Sequence, residues 1–220
     1  ESAGSVYLHG APVAERAGLD RATAEQLLRD NGGRVDDTAK RDPLDQAVWQ
    51  VSGPDEPAWP SPWGPGRPGW HAECTAMSLS TYGASLDLHA GGADLIFPHH
   101  AFETAQAELA TGVAPFARSW LHVGTVQLDG EKMAKSTGNL VFVADLVAQS
   151  SGAVVRTMLL DRRYDAPWDH TVEALDRAAA RLDALHTSAG IPGTDEAAQR
   201  AVLEALANDL DVPGALDLAI

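Results

Sequence analysis

The stretch Leu86-Asp87-Leu88-His89-Ala90-Gly91-Gly92-Ala93-Asp94-Leu95-Ile96-Phe97-Pro98-His99-His100 decides how the chain folds. Leu86 to His89 alternates apolar and polar residues, the pattern of a strand, and stops at Gly91-Gly92 in a tight turn. A helix follows Pro98 and carries His99, Glu103 and Ala107 along one side. Small residues just after a strand let a backbone approach a flat or phosphorylated ligand closely. Asp94 is then placed to accept hydrogen bonds from ribose hydroxyls. The same Gly-Gly-x-Asp run also suits a plain tight turn. A strand, a turn and a helix in this order point to an α/β fold.

Working outward, Val123 to Leu128 reads as another strand, closed by a turn at Asp129-Gly130. Upstream, Val6-Tyr7-Leu8 is strand-like. Asp20 caps a helix that runs from Arg21 to near Asn31-Gly32-Gly33. Residues 53–70 are rich in Pro, Gly and Trp and read as an ordered loop with aromatic anchors. From Asp169 to Ile220 the pattern is helical and alanine-rich, with an interruption near Gly190-Ile191-Pro192-Gly193. The expected organisation is a connective segment over residues 1–40, the second half of a nucleotide-binding α/β fold over 41–165, and a helical bundle over 166–220.

Composition narrows the classes. The chain has 220 residues, 45% of them hydrophobic and 21% charged, as in globular proteins. It holds no apolar run long enough to span a membrane and no signal-peptide pattern. One cysteine, Cys74, excludes an internal disulfide and fits a reducing cytoplasm. A formal charge of -15 repels phosphate backbones in general, and no basic patch stands out among 16 Lys and Arg. That balance favours a small acceptor over a large nucleic acid.

Cys74, His99 and Glu103 form the sharpest chemical set. Residues four apart on a helix lie about 5–6 Å apart on one face. A thiolate, an imidazole and a carboxylate suit zinc, and three ligands leave a position for a fourth residue or a substrate thiolate. The spacing equally suits a buried free cysteine beside a helix-surface His and Glu, and His100 is a competing ligand. Further on, Lys132-Met133-Ala134-Lys135-Ser136-Thr137-Gly138-Asn139 sets two lysines among small residues. Such a loop can stabilise charge developing on pyrophosphate, or be a solvated basic turn.

These segments resemble, in order, those of the cysteinyl-tRNA synthetase and mycothiol-pathway cysteine ligase family. Gly66 to Cys74 resembles the segment carrying a zinc cysteine, and Leu86 to His100 the adenylate-binding strand with the zinc histidine. Lys132 to Ser136 matches the class I lysine-loop signature, with Ala134 where serine is usual. Lys40 to Asp45 and Trp49 resemble the segment upstream of the core. The resemblance implies the C-terminal half of a class I Rossmann-like catalytic domain followed by a helical bundle. It implies an ATP-dependent ligase that makes cysteinyl-adenylate, with ATP and Mg2+, and passes the acyl group to an acceptor. It implies zinc held by Cys74, His99 and Glu103, and a cysteine pocket lined by Trp70 and His89. It also implies nucleotide contacts from Gly91, Gly92, Asp94, Lys132, Lys135 and Ser136, with Lys132 and Lys135 stabilising the pyrophosphate.

Two acceptors fit that resemblance. Gly138 to Val143, Phe116-Ala117-Arg118 and Glu204 to Asp211 look like the ligase that acylates the amine of glucosaminyl-inositol. His89 and Glu103 look like the enzyme that charges tRNA, while Ala101, Ala134 and Arg162-Arg163-Tyr164 fit neither. A paralogue of another pathway, or a non-catalytic remnant, also fits Ala134. The family's HIGH-type signature and first zinc cysteine belong to the N-terminal half, and no His-x-Gly-His run occurs here. A missing half or a partner chain is therefore expected, and residues 1–220 alone are expected to show no cysteine-dependent pyrophosphate exchange.

Overall fold

The computed structural model describes residues 1–190 and 195–220. β1 (Val6–Leu8), α1 (Ala11–Arg16) and α2 (Arg21–Asp30) come first. α2 starts where expected because the Asp20 carboxylate accepts from the Thr23 N–H at 2.9 Å, satisfying a donor the helix cannot. β2 (Gln46–Val51) and β3 (Gly66–Pro68) complete an antiparallel sheet of order β1-β2-β3. α3 (Trp70–Tyr82), β4 (Leu86–Gly92) and α4 (Ala101–Thr111) follow, and β5 (Ala117–Val123) pairs with β4.

Val13, Ala14, Ala24, Leu28, Val35, Leu44, Phe97 and Phe102 form the main core of this part. Phe102, on the first turn of α4, is fully buried, so the core fixes the start of the helix that carries Glu103. A smaller cluster of Leu86, Ala107, Phe116 and Ala117 ties β4 and α4 to the entry of β5. Residues Glu1–His122 make one compact unit and Val123–Ile220 a second.

In the second unit, β6 (Val126–Leu128) pairs antiparallel with β7 (Glu131–Lys132) and parallel with β8 (Trp168–Asp169). The β6–β7 turn is the expected Asp129-Gly130, both in the left-handed region at φ 56° and 79°. α5 (Val143–Gln149) and α6 (Gly152–Leu160) follow, helices that the sequence reading did not foresee, and α7 (Val172–Ala189), α8 (Glu196–Ala207) and α9 (Val212–Ala219) supply those expected from Asp169 onward. Leu146, Val154, Val155, Met158, Ala174 and Ala178 pack α5, α6 and α7 together. Gly190 closes α7, and the rest of the expected interruption, residues 191–193, lies outside the described residues. The mixture of helix and sheet is the α/β class expected. Among the described residues no helix is long and apolar enough to cross a membrane.

Three local expectations need correction. Gly91 and Gly92 do not form a tight turn: β4 runs through both, and neither has a positive φ. The strand expected over Val123–Leu128 is broken at Gly124, whose N–H donates to the Tyr164 carbonyl at 2.8 Å. A Cβ on Gly124 would sit 2.1 Å from the Ala166 carbonyl oxygen, so a chain crossing interrupts the strand. The tryptophans of the 53–70 loop anchor less than expected. Trp59 and Trp63 stay 54% and 45% exposed, although Trp63 packs on Trp49 with ring centroids 6.4 Å apart.

Asp45 closes the Lys40–Asp45 segment. It is buried and accepts from the Gly10 N–H at 3.0 Å and the Asp42 N–H at 3.2 Å. Asp45→Ala leaves the Gly10 donor buried and unpaired, which costs about 1–3 kcal/mol. The urea midpoint is expected to fall accordingly, and an unchanged midpoint would contradict this account of the segment.

Candidate metal centre

Three elements of the first unit converge on one cluster. α3 contributes His71 and Cys74, β4 contributes His89, and the helical turn entering α4 contributes His99 and His100, with Glu103 one turn later. A backbone kink at Phe97, with extended φ and ψ of −139° and 132°, redirects the chain so that Pro98, His99 and His100 turn inward. Five of the chain's eight histidines, His71, His89, His99, His100 and His122, take part in ring or hydrogen-bond contacts with one another.

Glu103 is the hub, with 1% exposure. His89 Nε2 lies 3.1 Å from Glu103 Oε2, and His99 Nε2 lies 3.7 Å from Glu103 Oε1. Cys74, His99 and Glu103 offer ligand atoms that all lie within 4.8 Å of one another. His89, His100 and Glu103 form a second such set sharing the same carboxylate. The two differ in chemistry. Only the first contains sulfur, which makes it the softer set and the better match to zinc. The competing ligand His100 turns its Nδ1 to His122 Nε2, 2.8 Å away.

Burial sets the protonation of these groups. It pushes the His71 imidazole down to about 3, helped by neighbouring His99, and His100 down to about 4, helped by His89 and His122. His99 is lowered as well, again by burial, with Glu103 opposing. These rings are therefore neutral near pH 7 and can act as lone-pair donors. Burial, then the Glu103 and Glu73 charges, hold the Cys74 thiol above its ordinary value, so without a cation it keeps its proton.

Trp70 and His89, expected in a cysteine pocket, adjoin this cluster. Trp70 is half exposed and stacks on His99 with centroids 4.5 Å apart, and His89 meets Trp120 edge-on at 4.9 Å. Cys74, Met77, Ser78, His89, His99 and Glu103 are among the residues lining one open cleft. Asp94 sits on the helical turn Ala93–Leu95 directly after β4. Lys132, Lys135 and Ser136 belong to the second unit, where all three are exposed. Lys132 ends β7, and Asn139 braces the loop after it. The Asn139 Oδ1 accepts from the Ala134 N–H at 2.9 Å, and its Nδ2 donates to the Lys132 carbonyl at 3.2 Å. Sequence reasoning gave neither Asn139 nor His71 a task. His71 pairs with His99, 28 residues away, and no local pattern announces it.

A family model described as "tRNA synthetases class I (C) catalytic domain" matches residues 1–180, and the chain belongs to that family. Among curated relatives, the L-cysteine:1D-myo-inositol 2-amino-2-deoxy-alpha-D-glucopyranoside ligase of Rhodococcus erythropolis is 47% identical over 206 residues. That match takes 91% of this chain and 49% of the relative. The cysteine–tRNA ligase of Granulibacter bethesdensis is 43% identical over 223 residues, taking 99% of this chain and 47% of the relative. The chain thus spans about half the length of the curated relatives it matches. Mycobacterium tuberculosis methionyl-tRNA synthetase in complex with methionyl-adenylate shares the fold. It has a TM-score of 0.54 and 19% identity over 90% of this chain and 48% of that one.

The glycine pair of β4 gives a test of the cluster's packing. A Cβ on Gly91 would meet His100 Cε1 at 2.7 Å, and His100 is buried. A Cβ on Gly92 would meet the Asp94 side chain alone, its Oδ1 at 2.3 Å, the far end of a short side chain rather than a buried ring. Gly91→Ala is expected to cost about 1–3 kcal/mol through overpacking, and Gly92→Ala markedly less. Thermal unfolding midpoints read the difference, and equal losses would contradict this packing.

Proposed function

We propose that the protein containing this chain activates L-cysteine with ATP, as cysteinyl-adenylate, and transfers it to the amine of glucosaminyl-inositol. The observation carrying this reading is the convergence of Cys74, His99 and Glu103 ligand atoms within 4.8 Å, a sulfur, nitrogen and oxygen set that fits zinc. The inositol-glucosaminide ligases matched at 47% identity support the amine as acceptor. Zinc, when bound, supplies a soft Lewis acid that takes a substrate thiolate and disfavours the hydroxyl of serine.

The chain's own residues do the rest. Cys74, His99 and Glu103 hold the cation. Trp70 and His89 line the amino-acid pocket and exclude water from it. Gly91 and Gly92 let backbone lie against the nucleotide, and Asp94 accepts from the ribose hydroxyls. Lys132 and Lys135, with Ser136 beside them, balance the charge that grows on the departing pyrophosphate of Mg2+-bound ATP. The domain division expected from sequence, with residues 41–165 catalytic and 166–220 a helical bundle, belongs to this proposal.

Charging of tRNA is the second reading. The contact of His89 with Glu103 at 3.1 Å favours it, since both residues match that branch of the family, as does the match of 99% of the chain to a cysteine–tRNA ligase. Incubating the whole protein with ATP, cysteine and either glucosaminyl-inositol or tRNA separates the two. Mass gained by the amine supports the first reading, and mass gained only by tRNA overturns it.

Two further outcomes are expected. Replacing Lys132 and Lys135 by alanine lowers cysteine-dependent pyrophosphate exchange by about 100-fold or more, while zinc content stays constant. Zinc affinity also depends on pH with a defined sign. The Cys74 thiol, held high by burial, must lose a proton on binding, whereas the His99 imidazole, lowered by burial, has none to lose. Affinity therefore rises by about tenfold per pH unit between pH 6 and 8. A flat profile in chelator competition would remove Cys74 from the ligand set.

A further inference from the structure

Of the three members of the histidine cluster that the proposed function leaves without a task, His71, His100 and His122, His71 is the one hydrogen-bonded to His99. It is the second residue of α3, 3% exposed, and its ring stacks on buried Phe102 with centroids 5.3 Å apart and planes 18° from parallel. Its Nδ1 lies 2.9 Å from the Nδ1 of His99. A hydrogen bond between two imidazole nitrogens holds one proton, so one ring donates and the other accepts.

The direction of that bond decides what His99 can do. Were His71 the donor, neutral His99 would carry its own proton on Nε2. That atom lies 3.7 Å from Glu103 Oε1 and belongs to the cluster with Cys74. A protonated Nε2 has no lone pair for a cation. With His99 as donor, its Nδ1–H is taken up by His71 and the Nε2 lone pair faces the cluster. Ligating histidines are commonly fixed this way, by an acceptor on the nitrogen away from the metal.

Resting on the zinc reading above, we propose that His71 is a positioning residue for the metal centre. Its Nδ1 accepts the proton of His99 Nδ1–H and so presents the His99 Nε2 lone pair to the cation. The stacking of Phe102 holds the His71 ring, and the stacking of Trp70 on His99 at 4.5 Å holds the ring it orients.

The test uses the whole protein with zinc alone, in competition with a chromogenic chelator. His71→Phe keeps a flat ring against Phe102 but removes the acceptor. His71→Asn restores a carbonyl oxygen near the place of Nδ1. His71→Phe is expected to weaken zinc by about 10–100-fold and to shift the d–d absorption of the cobalt(II) form. His71→Asn recovers most of the affinity and the parent spectrum. A His71→Phe variant with parent affinity and spectrum overturns the proposal, as does a His71→Asn variant as weak as His71→Phe. Should His71→Phe fail to fold, nitrogen-15 NMR of the parent protein decides. The proposal requires His71 protonated on Nε2 and His99 on Nδ1, and the reverse assignment overturns it. A parent protein that takes up no zinc at all sinks the zinc reading itself, which these outcomes keep distinct from the role of His71.

Discussion

A carboxylate with 1% exposure is the constraint around which the first unit is arranged. Burying such a group is costly unless it is paired. Glu103 is hydrogen-bonded on one oxygen by His89, at 3.1 Å, while its other oxygen lies 3.7 Å from His99 Nε2. Burial lowers the His71, His99 and His100 imidazoles, so these rings can offer lone pairs. The main core follows the same logic. Phe102, beside Glu103 in sequence, is fully buried and locks the first turn of α4, which sets the direction of the carboxylate.

Much of the frame was legible because it rests on local chemistry. Asp20 announces α2, Asp129-Gly130 announces the β6–β7 hairpin, and the alternation of Leu86 to His89 announces β4. The four-residue spacing of His99 and Glu103 places both on one helical face, and their ligand atoms do converge. What was not legible has equally physical reasons. α3, which carries Cys74, buries His71 and Thr75 rather than an apolar stripe, so no hydrophobic period marks it as a helix. The extent of β4 through Gly91 and Gly92 depends on His100 packing where a side chain would stand, and the break at Gly124 on the crossing of residue 166. The first joins residues nine apart and the second residues 42 apart, and neither spacing carries a local signal.

The second unit sets two lysines, Lys132 and Lys135, close together in a chain with a formal charge of -15. A tight hairpin ends at Lys132, and the Asn139 side chain bridges the Ala134 N–H and the Lys132 carbonyl, closing the loop that displays Lys135 and Ser136. That bridge uses the Ala134 N–H and no side chain, so it sets no demand on the side chain at position 134.

X-ray absorption at the zinc edge of the whole protein tests the central claim most directly. The account predicts sulfur scattering at about 2.3 Å, reduced by Cys74→Ala and increased when L-cysteine, but not L-serine, is added. A shell of nitrogen and oxygen only, indifferent to Cys74 and to cysteine, would contradict it.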